Sequence, residues 1–161
     1  MKLNANQNRT AALRLADFLP YRLSVLANTI SNTLARSYAD RFGVSIPQWR
    51  VMAVLGDDPG RSANELVERT RMDKVSVSRA VSGLAADGRV LRRSDPTDRR
   101  RSVLRLSASG RSIYEKIVPL ARRYEKELLG RLEPAERRAL NALIAHLDEA
   151  ALGLAEREPT T

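Results

Sequence analysis

The chain has 161 residues, with 28 Lys and Arg against 19 Asp and Glu, one His, no Cys and a formal net charge of +9 at neutral pH. Its 43% hydrophobic and 29% charged residues are those of a globular chain, one domain or a fused pair of small ones, and 4% aromatics leaves Ala, Leu and Val to do most of the packing. The absence of Cys excludes disulfide scaffolds, zinc thiolates, cysteine nucleophiles and thiol switches. With His146 the one histidine, no metal site and no cofactor is expected. Arg and Asp interrupt every apolar run short of the roughly 20 residues that cross a bilayer. The polar opening Met1-Lys2-Leu3-Asn4-Ala5-Asn6-Gln7-Asn8 lacks an apolar leader core, so a cytoplasmic protein without membrane contact is expected.

In chain order, Asp17-Phe18-Leu19-Pro20-Tyr21 leads into a helix from Arg22 to about Arg41, with Leu23, Leu26, Ala27, Ile30, Leu34 and Tyr38 at helical spacing. Ser45-Ile46-Pro47-Gln48-Trp49-Arg50 opens a second helix: Ser45 caps, Pro47 suits the first turn, and Trp49, Val51, Met52, Val54 and Leu55 supply its apolar face. Gly56-Asp57-Asp58-Pro59-Gly60 is turn chemistry and ends it. Ser62-Ala63-Asn64-Glu65 matches a capping box and starts a short helix through about Thr70. Arg71-Met72-Asp73 turns the chain, and Asp73 caps a helix to about Ala86 that Gly88 stops. A strand Arg89-Val90-Leu91-Arg92-Arg93, a turn at Ser94-Asp95-Pro96-Thr97-Asp98 and a returning strand Ser102-Val103-Leu104-Arg105-Leu106 of period two make a hairpin. Ser107 caps a helix from Ala108 to about Gly130 that carries Pro119 inside it and Ile113, Ile117, Leu120, Tyr124 and Leu128 on one stripe. Glu133-Pro134-Ala135-Glu136 starts the last helix, with Leu140, Leu143, Ile144, Leu147 and Leu154.

Two short helices joined by a tight turn and followed by a hairpin make a winged helix-turn-helix. The expected fold is mainly α: a winged lobe over 45–107 with a small β-hairpin wing, flanked by long terminal helices over 15–41 and 108–155, all within one domain of 1–161.

The charge is concentrated in this lobe. Residues 61–105 hold twelve Lys and Arg against six Asp and Glu, two-thirds of the net charge in under a third of the chain. Such a segment reads as a surface for a polyanion, here double-stranded DNA. On the helix after Asp73, the residues Val77, Ala80, Val81 and Leu84 fall on one side and must face the core. Lys74, Val75, Ser76, Ser78, Arg79 and Ser82 fall elsewhere, and Gly83 permits a close approach. Arg binds guanine bidentately, Ser reads base edges or phosphate, and a methyl meets thymine, so this face suits a major groove. At the hairpin tip Arg99, Arg100 and Arg101 suit a narrow minor groove or the phosphates beside it, and Asp98 is placed to hold Arg100 in a wing salt bridge. The terminal helices carry more apolar surface than the lobe needs, which points to a homodimer whose two recognition helices read a palindrome.

The order of elements resembles the MarR family of bacterial transcriptional regulators. The residues that carry the resemblance are Met72-Asp73-Lys74-Val75-Ser76-Val77-Ser78-Arg79, Asp95-Pro96-Thr97-Asp98-Arg99-Arg100-Arg101 and Leu104-Arg105-Leu106-Ser107-Ala108-Ser109-Gly110, over roughly residues 15–155. The family's wing motif, acid-Pro-x-Asp-x-Arg, maps onto Asp95, Pro96, Asp98 and Arg100. The resemblance implies a homodimeric repressor of a palindromic operator, relieved by a small ligand between the dimer helices and the DNA-binding lobe. Without Cys the family's thiol-oxidation branch is excluded, and with one His its metal-sensing branch is disfavoured, which leaves an organic effector, often an aromatic acid in this family. Phe18-Leu19-Pro20-Tyr21-Arg22-Leu23-Ser24 and Ile46-Pro47-Gln48-Trp49-Arg50-Val51 are similar to members that control hydroxycinnamate catabolism, some of which respond to the hydroxycinnamoyl-CoA thioester rather than the aromatic carboxylate. On that resemblance Arg22, Asn28, Ser31 and Trp49 are candidates to line the effector pocket, Trp49 being equally suited to the core. An enzyme is not expected: there is no glycine-rich phosphate loop, and a triad would rest wholly on His146. A sequence-tolerant architectural DNA binder and an activator with the same contacts are the other readings.

Overall fold

A computed structural model describes residues 13–94 and 102–157. The elements are α1 (Leu19–Ala35), α2 (Ala39–Phe42), α3 (Ile46–Asp57), α4 (Ala63–Thr70), α5 (Lys74–Ala86), β1 (Val90–Ser94), β2 (Ser102–Leu106), α6 (Ala108–Leu129) and α7 (Pro134–Ala155). They form two compact units, one through Leu120 and one from Ala121, so that α6 contributes to both.

Local chemistry starts and stops these helices as the sequence reading expects. Ser45 and Gln48 close a reciprocal capping box on α3, with Pro47 in its first turn, and Ser62 and Glu65 do the same on α4. The Asp73 carboxylate accepts the Ser76 N–H at 2.8 Å at the start of α5. The α5 terminus is a Schellman turn: the Gly88 N–H bonds the Ala85 carbonyl and the Arg89 N–H the Leu84 carbonyl, with Gly88 at φ +68°. Ser107 Oγ accepts the Gly110 N–H at 3.0 Å and opens α6, which continues through Pro119.

Several features differ from expectation, among them the end of β1, where Ser94 belongs to the strand rather than to the turn. The N-terminal helix begins earlier, at Leu19 with Pro20 in its first turn, and is broken after Ala35. A turn over 36–38 lets Tyr38 enter the core at 1% exposure, with the Ser37 hydroxyl donating to the Leu34 carbonyl, and the separate helix α2 follows. Strand β1 starts at Val90 rather than Arg89, because the Schellman turn takes the Arg89 N–H. Strand β2 lacks strict alternation, since Val103 and Leu104 are both buried. Leu104 faces the core, while Val103 opposes Arg93 in a groove with Leu91 and Arg105, where arginine stems shield it.

The hairpin pairs antiparallel with Val90 opposite Leu106 and Ser94 opposite Ser102. A third segment joins it: Leu104 donates to the Arg61 carbonyl at 2.8 Å and accepts from the Gly60 N–H at 3.0 Å. The core of this first unit gathers Val51, Met52 and Leu55 of α3, Leu66 of α4, Val77, Ala80, Val81 and Leu84 of α5, Val90 and Leu104 of the hairpin, and Ile117 of α6. The four α5 positions read from the helical wheel are all in it. Gly56 is needed in this core, because a side chain there would overlap the Tyr114 ring. In the second unit α7 is amphipathic and none of its residues is buried. Among the described residues no helix is long and apolar enough to cross a membrane.

Candidate nucleic-acid interface

Because Val77, Ala80, Val81 and Leu84 hold α5 to the core, its opposite side is presented to solvent. Lys74, Val75, Ser78, Arg79 and Ser82 are exposed, Val75 at 58%. Neither Lys74 nor Arg79 has a carboxylate partner among the described residues, and both are exposed. Ser76 is half-buried, and its hydroxyl donates to the Asp73 carboxylate at 2.6 Å. That bond and the Ser76 N–H hold the Asp73 carboxyl below its ordinary range. Ser76 thus spends its proton on the cap and retains only its acceptor capacity. The close approach at Gly83 is intramolecular: a Cβ there would lie 2.9 Å from Gln48 Nε2. Beside this contact Ser45, Pro47, Gln48, Ser76, Arg79 and Ala80 line an open cleft of about 480 Å³.

On the wing, Arg92, Arg93 and Arg105 are exposed. Asp98, Arg99, Arg100 and Arg101, and with them the Asp98–Arg100 salt bridge, lie outside the described residues. The base of the wing holds a cluster that the sequence reading missed. Asp58 accepts from Arg61 through one oxygen and from Arg69 through the other, the latter at 2.6 Å, and Arg61 also reaches Glu65 at 3.1 Å. The Arg61 hydrogen bond, followed by the charge of both guanidiniums, holds the Asp58 carboxyl below its ordinary range.

A second site lies where α1, the turn at Tyr38 and α3 meet. Ile30, Ser31, Leu34, Tyr38, Ile46, Trp49 and Arg50 line a cavity of about 140 Å³. Arg50 Nη2 donates to Ser31 Oγ at 3.2 Å and has no carboxylate partner among the described residues. Trp49 stands between Tyr38 and Tyr114, with ring centroids 5.8 and 5.9 Å away. Burial pushes the Tyr38 hydroxyl up to about 12, against a smaller lowering by Arg50. Of the four residues suggested by sequence for this role, Ser31 and Trp49 line the cavity. Arg22 and Asn28 stand exposed on α1, outside its lining. Arg50 and Tyr38 were missed; the adjacency of Arg50 to Trp49 was the available signal. His146 is exposed on α7, and no cluster of metal-ligating side chains occurs among the described residues.

A helix-turn-helix with a three-segment wing and an exposed, cation-bearing second helix defines a winged-helix DNA-binding protein. The sequence model of the MarR family matches residues 42–101. The transcriptional regulator HosA of Escherichia coli O111:H- is 31% identical over 98 residues, which are 61% of this chain and 73% of HosA. Two solved structures share the fold. One is a MarR/EmrR family transcriptional regulator from Acinetobacter sp. ADP1, with a TM-score of 0.80 at 25% identity over 86% of this chain and 98% of that one. The other is the PcaV transcriptional regulator of Streptomyces coelicolor in complex with its natural ligand, with a TM-score of 0.72 at 26% identity over 88% and 99%. The chain belongs to the MarR family of DNA-binding transcriptional regulators, and these relatives are regulators rather than enzymes.

Proposed function

We propose that this protein is a homodimeric, cytoplasmic repressor that holds a palindromic operator and releases it when a small aromatic acid, or the CoA thioester of one, occupies the cavity beside Trp49. The observation that carries this reading is Arg50, a half-buried guanidinium at an aromatic cavity whose side-chain partner among the described residues is the neutral Ser31 hydroxyl. A guanidinium so placed binds a carboxylate or a thioester carbonyl strongly, because desolvation weakens its competition with water. An apolar cavity of about 150 Å³ admits a benzene ring, so the volume here matches a single ring; with a thioester, the CoA moiety remains outside. The ligand-bound structure of PcaV supports a ligand-responsive role on this fold.

On the DNA side, Arg79, Lys74 and Ser78 of α5, with Val75 and Ser82, enter the major groove, and Ser76 accepts at its edge. Arg100, aimed by Asp98, enters the minor groove while Arg99 and Arg101 meet phosphates. The apolar faces that α1 and α7 each leave uncovered support a dimer, which sets two recognition helices about 34 Å apart on a palindrome.

The test is fluorescence anisotropy on DNA from upstream of the protein's own gene, against scrambled competitor at near-physiological salt, with p-coumarate, ferulate and their CoA thioesters. Release by one of them establishes a ligand-responsive regulator and identifies its effector. Specific binding untouched by all four removes the hydroxycinnamate class, and equal competition by scrambled DNA replaces this reading with an architectural DNA binder.

A further inference from the structure

The wing is not held by the hairpin's own ladder alone. The chain leaves α3 at Asp58, turns through Pro59 and Gly60, and enters α4 after Ser62. Midway, Arg61 pairs through its backbone with Leu104 at the centre of β2. Leu104 in turn opposes Arg92 of β1, so the position of residue 61 bears on the orientation of the hairpin, alongside the core packing of Val90 and Leu104.

Residue 61 is fixed by charge. Both oxygens of the Asp58 carboxylate are used, Oδ1 by Arg61 Nη2 and Oδ2 by Arg69 Nη2 near the end of α4. Arg61 Nη1 reaches Glu65 Oε1, while Glu65 Oε2 accepts the Ser62 N–H at 2.7 Å and the Ser62 hydroxyl at 2.8 Å. Among the described residues Arg61 Nε is buried without a partner, and the guanidinium bonds through its two terminal nitrogens. One carboxylate thereby ties the end of α3, the bridge to the wing and the far end of α4 to a single point. Partly exposed ion pairs contribute little to global stability. Two guanidiniums sharing one carboxylate instead restrict direction, because each arginine loses its remaining rotational freedom against the other.

We propose that Asp58 is a positioning residue for DNA binding: by gripping Arg61 and Arg69 together it sets the strand bridge on which the wing hangs, and so the angle at which the wing meets DNA. This rests on the minor-groove reading of the wing given above. Asp58→Asn keeps the size of the side chain but places an amide N–H₂ against one of the two guanidiniums, which releases either Arg61 or Arg69.

The experiment compares affinity for an operator with A·T-rich and with G·C-rich flanks at the wing positions. It uses the full-length protein as wild type, Arg100→Ala, Asp58→Asn, Asp58→Glu and the Asp58→Asn/Arg100→Ala pair. In the wild type the A·T-flanked site is preferred. Arg100→Ala removes that preference, Asp58→Asn brings it most of the way to unity, and the double variant loses nothing further. Asp58→Glu restores part of it. Discrimination against mismatches under α5 stays unchanged in Asp58→Asn, which separates loss of aim from general loosening of the fold. Should Asp58→Asn not fold, Arg69→Gln, which leaves the Asp58–Arg61 pair in place, is expected to show an intermediate loss. A flank preference lost in Arg100→Ala but intact in Asp58→Asn, or in a folded Arg69→Gln, overturns the proposal. A preference intact in Arg100→Ala overturns the minor-groove reading and the proposal with it.

Discussion

The winged lobe and α7 use the same kinds of residue to opposite ends. In the lobe, Val51, Met52, Leu55, Leu66, Val77, Val81, Leu84, Leu104 and Ile117 are all at or below 4% exposure, and the core closes on itself. Along α7, Leu143 and Ile144 remain more than half exposed, although the helix has as clear an apolar stripe as α5. A helix that leaves several large apolar side chains in water forgoes about 1.5–3 kcal/mol for each one that burial would give. The difference teaches that the lobe is a finished unit, whereas α7 is a surface built to be covered, on the present reading by a second copy of the chain.

Breaking that contrast gives the largest expected effect. Leu143→Glu with Ile144→Glu should convert the dimer to a monomer in equilibrium sedimentation and cost on the order of 10²–10⁴ in affinity for a palindromic operator, with the circular dichroism of the lobe preserved. A variant that sediments as a dimer would remove α7 from the interface. Within the finished unit, Leu84→Ala deletes a fully buried side chain and should destabilise the lobe by about 2–5 kcal/mol in chemical denaturation. Arg79 is exposed and lies outside the core cluster, so Arg79→Ala should leave the melting curve unaltered. Its cost falls on the operator, about 1–3 kcal/mol of specific binding, and equal losses on operator and scrambled DNA would reduce Arg79 to a phosphate contact.

A pH series sharpens the same contrast in the lobe's charged rim. The Asp58 and Asp73 carboxyls both lie below their ordinary range when folded, held there by Arg61 and by Ser76 respectively. A group depressed in this way binds its proton more readily in the unfolded chain. Its stabilisation is therefore complete above about pH 4, the unfolded value, and is lost as the pH falls through the folded value. The gap in melting temperature between wild type and Asp58→Asn should accordingly narrow on acidification; a gap that holds constant would show that the Asp58 charge contributes nothing. The smallest effect is expected at Arg71, which sits between α4 and α5 at φ +54°. Arg71→Gly removes that left-handed strain and should stabilise by no more than about 1 kcal/mol, since glycine also gains freedom in the unfolded chain.

Most of the DNA-facing half was legible in the sequence because its determinants are local. A capping box spans four residues, a Schellman turn needs one glycine after the helix, and the buried face of α5 follows from 3.6-residue periodicity. Ser45, Ser62, Asp73, Gly88 and Ser107 consequently mark real helix ends. Periodicity failed at Tyr38, which continues the stripe of α1 in sequence but belongs to a turn. The demand to bury an aromatic ring against α3 outweighed the continuation of one helix, and only the packed core sets that demand.

Sequence by itself determined the winged helix-turn-helix, the outward Lys74, Val75, Ser78, Arg79 and Ser82, and the exclusion of thiol chemistry, because each depends on residues a few positions apart or on composition. Tertiary structure alone decided that Gly83 accommodates Gln48, that Arg61 adds a third segment to the wing, and that Arg50 meets Ser31 at a cavity lined by Tyr38 and Trp49. These partners are brought together by burial of the common core, which acts over the whole lobe and leaves no local pattern from which the pairing can be read.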